Sequence, residues 1–266
     1  MSRSAEEMER SIYEFPAIFR RVHKERPGDI EAEVWFLKKV WRRHLERPVR
    51  RVLDIACGNS PHGQILARAG CEVAGIDRSP TMIAAGRTES HGLDRIRFYR
   101  RPIAKFTLPE RPFDAAIFMS ETFPVMTRNA EILSHLESVA RLLRRGALYC
   151  IDVDRQDGLR VVRSRQIWRR RTIRVGDAIV EVRAFNRPMP WDSGIHSIFE
   201  LECKIVFPDR TVVTRDLVPI RYTIPCTLEM AAKASRMFEL VAAYADLSFV
   251  TPLGECDRWL GVLRRV

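Results

Sequence analysis

Val52-Leu53-Asp54-Ile55-Ala56-Cys57-Gly58-Asn59-Ser60-Pro61-His62-Gly63 decides how this chain is read. An apolar run that ends at an acid predicts a buried strand. The small residues after it predict a tight turn, which Pro61 and His62 would stiffen. Gln64 to Ala69 reads as a helix. A strand, a short loop and a helix N-terminus are the parts of a nucleotide-cofactor site.

The same alternation continues downstream. Cys71 to Asp77 reads as a second strand ending in an acid, and Pro80 to Arg87 as a helix. Ile96 to Tyr99 and Phe113 to Met119 read as strands, Glu131 to Leu143 as a helix, and Ala147 to Val153 as a fifth strand. Alternating strands and helices imply a parallel sheet covered on both faces. Upstream, Ile30, Val34, Leu37 and Trp41 recur at helical spacing, so residues 8–44 read as helices broken at Pro27-Gly28, with Asp29 as a cap.

Downstream the pattern changes. Arg165 to Val175, Ile179 to Phe185, Ser197 to Phe207 and Thr211 to Tyr222 read as antiparallel strands, with turns at Gly176-Asp177 and Pro208-Asp209. Thr227 is expected to cap a helix running to about Ala243, and Trp259 to Leu263 to close the chain as a strand. The expected division is 1–47 as an N-terminal helical cap, 48–157 as the core, 158–225 as an antiparallel β insertion forming a lid, and 226–266 completing the core.

Composition narrows the classes. With 266 residues and 46% hydrophobic content, a substantial core is expected. No stretch approaches roughly 18 uninterrupted apolar residues, and Met1 to Arg10 is too charged for a signal peptide, so a cytoplasmic location is expected. The six scattered cysteines form no C-x-x-C pair and the histidines no metal-binding pattern, so no metal is expected. The net charge of +11 is carried mainly by 39 arginines, in short separated groups such as Arg169-Arg170-Arg171. A solvated, arginine-biased surface explains that spread better than one nucleic-acid footprint does.

Three ligand classes compete for the opening loop. A dinucleotide fold wants G-x-G-x-x-G directly after the strand, whereas glycine stands only at Gly58 and Gly63. Gly58-Asn59-Ser60-Pro61-His62 approaches the G-x-S-x-G of a hydrolase. There the residue after the nucleophile must donate a backbone N–H, and Pro61 has none. In the third class, Asp77 stands twenty-three positions after Asp54 at the next strand tip, where an acid can accept from both hydroxyls of a ribose.

The acid-x-small-x-Gly loop Asp54, Ala56, Gly58, with Asp77 followed by Arg78-Ser79-Pro80-Thr81-Met82, resembles the class I S-adenosylmethionine-dependent methyltransferases. Tyr13 to Phe19, Glu31 to Leu37, the β-rich insertion and the Trp259 strand are similar to the small-molecule subgroup. The resemblance implies an α/β fold, a Rossmann-like doubly wound seven-stranded sheet whose last strand is antiparallel. It implies S-adenosylmethionine as cofactor and S-adenosylhomocysteine as product. The cofactor would be held by Tyr13, Asp54, Ala56, Gly58, Asn59, Asp77, Arg78, Met82, Pro102, Ile103, Met119 and Ser120. Ser60 stands where that family more often has glycine, and Arg101-Pro102 where it often has Gly-Asp.

The expected activity is methyl transfer to N or O of a small-molecule acceptor. Glu121 and His62 are candidate acid–base residues. Trp168, Trp191 and His196 are candidates on the acceptor side. An RNA or protein methyltransferase, prompted by the charge, and a non-catalytic cofactor-binding regulator are the alternatives. Monomer or homodimer is the expected state, without membrane attachment.

Overall fold

A computed structural model describes residues 10–23, 29–110, 112–154, 164–189, 195–256 and 258–266. In chain order the elements are α1 (Pro16–His23), α2 (Asp29–His44), β1 (Arg51–Ile55), α3 (Pro61–Arg68), β2 (Glu72–Asp77), α4 (Pro80–Glu89), β3 (Ile96–Arg100) and β4 (Phe113–Phe118). Then come α5 (Asn129–Leu142), β5 (Leu143–Asp154), β6 (Gln166–Val175), β7 (Ala178–Pro188), β8 (His196–Val206), β9 (Thr211–Arg221), α6 (Pro225–Ser235), β10 (Phe238–Ala245) and β11 (Arg258–Arg265).

The elements fall into two compact units. Arg26–Arg160 with Ile220–Val266 forms the larger. Its seven strands run β10-β11-β5-β4-β1-β2-β3. The pairs β1–β2, β1–β4, β2–β3 and β4–β5 are parallel, and β11 pairs antiparallel with both β5 and β10. Successive strand residues serve opposite faces. Val52, Val73, Ile117 and Cys150 are buried with α2 and α3 residues such as Leu37, Trp41 and Leu66. Leu53, Ile76, Phe118 and Tyr149 are buried with α5 and α6 residues such as Leu136, Val139 and Leu228. The doubly wound sheet is therefore as expected.

The smaller unit joins Met1–Glu25 to Val161–Pro219. Its sheet runs β6-β7-β8-β9. Val180, Val182, Leu201, Cys203 and Ile205 line a core that also buries Ile12, Ile18 and Val22. This corrects the expected 1–47 cap. The apolar face of α1 belongs to the small sheet, while that of α2 belongs to the large one. Within the small unit, Arg171 donates to the carbonyls of Arg21 and Val22 in the last turn of α1, where a cation is favoured.

The C-terminal helix is shorter than its sequence suggests. It ends at Ser235, Arg236 takes a left-handed conformation (φ 55°), and β10 follows. The expected extension to Ala243 is thus a strand that completes the sheet. Thr227 is not the cap itself. It sits one turn in, and its Oγ1 accepts from the N–H of Ile224 at 3.1 Å.

Candidate functional site

The parallel strands β1, β2, β4 and β5 all end at one edge of the large sheet, where α/β sheets bind ligands. The loop from β1 to α3 alternates in backbone conformation there. Ala56 (φ 50°), Gly58 (φ 55°) and Ser60 (φ 56°) are all left-handed. For non-glycine residues this costs roughly 1–2 kcal/mol each.

Side chains hold that shape. Ser60 Oγ donates to Asp54 Oδ2 at 2.6 Å, and the Gly63 N–H also donates to Asp54. A Cβ at Gly63 would stand 2.1 Å from Ser60 Oγ, so only glycine permits this closure. Ser60 therefore reaches the backbone conformation that glycine would adopt freely, tethered by its hydroxyl. Asp54 is 2% exposed, and burial pushes its pKa up to about 6 against the opposing pull of His62 and Ser60. It organises the loop from within.

Asp77 links the first two strands. Its Oδ2 accepts from the N–H of Gly58 at 2.9 Å and its Oδ1 from the N–H of Ser79 at 2.8 Å. The Arg78 N–H donates to it as well, and a carboxylate offers about four acceptor positions, so acceptor capacity remains for a ligand. Partial burial raises its pKa despite those bonds. Above Gly58 a built Cβ would meet nothing within 4 Å, so a ligand can approach that backbone closely.

The remaining expected residues divide. Ala56 and Gly58 are half-exposed, and Arg78 and Pro102 exposed, at this edge. Asn59 is buried, and its Nδ2 donates to both oxygens of Glu89 at 3.0 Å, so its side chain anchors the loop to α4 and does not face a ligand. Met82 is 1% exposed and lies inside the fold. Ile103 is half-buried, and its carbonyl accepts from His135 Nδ1 at 2.6 Å. His135 Nε2 in turn accepts from the Tyr149 hydroxyl at 2.6 Å, and burial pushes the His135 pKa down to about 4. This neutral histidine, which the sequence reading missed, fixes the Pro102-Ile103 turn against α5.

His62 is 3% exposed, and its Nε2 donates to Glu33 Oε2 at 2.5 Å. It is sealed from solvent, so the expected role as a general base is corrected to an anchor at the start of α3. After β4, Met119 is buried while Ser120 (φ 61°) and Glu121 (φ 56°) are exposed and consecutively left-handed. Such strain persists where the surroundings impose it. The Ser120 N–H donates to Asp152 Oδ2 at 2.9 Å.

Tyr13, Trp168 and His196 belong to the smaller unit. Tyr13 stacks on Phe19 there, with ring centroids 4.7 Å apart. Trp168 lies on β6 and His196 opens β8; Trp191 is outside the described residues. A separate cavity of about 330 Å3 opens at the opposite edge of the large sheet. In its lining Arg51 pairs with Glu72 at 3.2 Å and with Glu110 at 3.0 Å.

Comparison with known proteins converges on the same loop and strands. Residues 52–146 match the family model described as a methyltransferase domain. The matched stretch runs from β1 into the start of β5 and includes Asp54, Gly58, Asp77 and Glu121. A Bacillus subtilis protein, YqeM, described only provisionally as a methyltransferase, is 27% identical over 116 residues. That match covers 42% of this chain and 47% of YqeM, so the chain spans about half the length of this relative.

Among solved structures, an S-adenosylmethionine-dependent methyltransferase from Clostridium acetobutylicum has a TM-score of 0.76 at 13% identity, covering 94% of this chain and 97% of that one. A sugar N-methyltransferase from Streptoalloteichus gives 0.74 at 20%, covering 100% and 97%. An amino pentose methyltransferase from Micromonospora echinaspora gives 0.71 at 17%, covering 99% and 100%. The chain therefore shares its fold with these solved methyltransferases.

Among the described residues no group of three or more His, Cys, Asp or Glu could hold a metal ion, and no helix is long and apolar enough to cross a membrane.

Proposed function

We propose that this chain transfers a methyl group from S-adenosylmethionine to a nitrogen or oxygen of a small-molecule acceptor. The observation that carries the reading is the Gly58–Asp77 hydrogen bond. It sets an open backbone beside a carboxylate that keeps acceptor capacity, at the C-terminal strand edge. Asp77 would hold the ribose hydroxyls, the Ala56–Gly58 backbone the methionine portion, and the Pro102-Ile103 turn one side of the adenine. Bound S-adenosylmethionine supplies an activated methyl group on a sulfonium.

The chain's own contribution is alignment and exclusion of water. Ser120 and Glu121, braced after β4, are set to orient the acceptor. Glu121 stands within the field of Arg258 and carries the carboxylate that would anchor an amine or take its proton. Small-molecule acceptors are favoured because the similar folds from Streptoalloteichus and Micromonospora are described as acting on sugars.

Calorimetry tests the cofactor. The wild type is expected to bind S-adenosylmethionine and S-adenosylhomocysteine, and Asp77→Ala to bind each at least about tenfold more weakly, since hydrogen bonds to a charged group contribute about 1.5–3 kcal/mol. Equal affinity in the two proteins would overturn the site assignment. Incubation with S-adenosylmethionine and a panel of amino sugars, sugars and RNA, read by mass, then separates small-molecule from nucleic-acid methylation.

A further inference from the structure

One buried charge connects the two halves of this edge. Arg258 opens β11, in register with Asp154 of β5, and so sits where β5 ends. Its Nε donates to Asp152 Oδ1 at 3.1 Å and its Nη1 to Glu33 Oε1 at 2.8 Å. Each of these carboxylates has a second partner. Asp152 Oδ2 accepts from the Ser120 N–H, at the left-handed turn after β4. Glu33 Oε2 accepts from His62, at the N-terminus of α3 beside the loop of Asp54 and Ser60. Glu33 is 1% exposed and Asp152 fully buried.

We propose that Arg258 is a positioning residue for the reaction, a brace that holds the Ser120-Glu121 turn and the His62 end of the cofactor loop in fixed relation. The proposal rests on the reading of those loops as the acceptor and cofactor sides. The planar guanidinium is suited to it, because its nitrogens reach two carboxylates in divergent directions, which a lysine ammonium cannot reproduce. Without the guanidinium, two buried carboxylates lack a counter-charge, and each is strongly unfavourable alone. Burial opposes the charge on Arg258 itself, but Asp152 and Glu33 outweigh it and raise its pKa further. Among the described residues its buried Nη2 has no hydrogen-bond partner, and Nε and Nη1 make the contacts that hold the group.

A brace and a mere neutralising charge respond differently to Arg258→Lys. The charge survives in that variant but the two-way reach does not. The experiment uses nitrogen-15-labelled protein, with S-adenosylhomocysteine as the titrated probe. Signals of the Ser120 amide and the His62 ring are followed in the wild type, Arg258→Gln, Arg258→Lys and the surface control Arg141→Gln. Both signals are expected to move in Arg258→Gln and Arg258→Lys and neither in the control. Affinity for the probe is expected to fall about tenfold or more in both Arg258 variants, because small misplacements of a positioned site cost that much. The melting temperature of Arg258→Lys is expected to stay near that of the wild type.

Wild-type affinity and signals in Arg258→Lys would overturn the proposal, and that arm decides it even where Arg258→Gln fails to fold. If the wild type binds no S-adenosylhomocysteine while both signals respond in the free protein, the methyl-transfer reading falls and with it the functional role of the brace. If the wild type binds it and both Arg258 variants bind equally well, the brace alone falls.

Discussion

Asp54, deep under the loop after β1, and Glu200, in the small sheet and nearer its surface, are carboxylates with almost no exposed area of their own, and they titrate in opposite directions. Burial pushes Asp54 up to about 6. Burial also works against Glu200, but Arg165 and Arg215 outweigh it and bring the pKa down to about 2. Glu200 Oε1 accepts from Arg215 Nη2 at 2.7 Å and Oε2 from Arg165 Nε at 2.9 Å, with Arg187 at 3.6 Å. Asp54 has a hydroxyl, a backbone N–H and a histidine already paired with Glu33. The small unit stabilises its acid with full charges. The candidate site keeps its acid among dipoles, where it is costly, which is the pattern expected of a functional group.

The sharpest break of this contrast is Asp54→Asn, which keeps one acceptor oxygen for the loop, offers an amide N–H that the Ser60 hydroxyl can accept from, and removes the charge. The folded-state pKa of Asp54 lies above its ordinary value. The folded protein therefore binds the extra proton between about pH 4 and pH 6, and stability falls as pH rises through that window. At pH 8 the variant is expected to be about 2–3 kcal/mol more stable than the wild type, and at pH 4 nearly equal. Calorimetric melts at the two pH values check it; a variant less stable at pH 8 would end the contrast. Weaker binding of S-adenosylhomocysteine by the more stable variant would identify what the costly charge is for.

Glu200→Gln has the opposite sign. A depressed pKa gives stability that is present above about pH 4.5 and lost as pH falls toward about 2. The variant is expected to lose about 1–2 kcal/mol at pH 7, allowing for solvent around arginines that are about 40% exposed, and progressively less below pH 4. A difference that does not shrink on acidification would mean that packing, not charge, explains the loss.

The same pairing explains why the +11 charge gave little guidance. Arg165, Arg183, Arg187 and Arg215 engage Glu200 and Glu202 within the small sheet, and strand registers of this kind are not visible in a linear sequence. The parallel core was legible because each strand is an apolar run bounded by small or charged residues. β10 was not. Phe238-Glu239-Leu240-Val241-Ala242-Ala243 follows a helix without glycine or proline, and its Glu, Leu and Ala favour a helix. The break is made by Arg236 in a conformation that sequence normally announces with glycine.

Within the site, Asp77 was legible from its place at a strand tip, but the brace was not. Glu33 and Arg258 are 225 positions apart. A signal did exist on each side. Glu33 lies three residues after Ile30 and four before Leu37, on the apolar face of α2, and Asp152 interrupts Tyr149-Cys150-Ile151 and Val153. An ionisable group on a face that must be buried requires a partner, even when its identity is out of reach.

The smallest expected effect separates the two things Ser60 does. Its backbone is left-handed and its hydroxyl holds Asp54. Ser60→Ala removes the hydroxyl and keeps the torsional strain. Ser60→Gly removes both, so it should be about 1 kcal/mol more stable than Ser60→Ala. Each loses a donor to the Asp54 carboxylate, which raises that pKa further and extends the window in which stability falls with rising pH. Both should therefore differ more from the wild type at pH 8 than at pH 5, as read from urea midpoints. If the alanine variant matched the glycine variant, Ser60 would be held by packing around α3 and not by its own torsions. If neither showed the pH trend, the bond to Asp54 would not be what closes the loop.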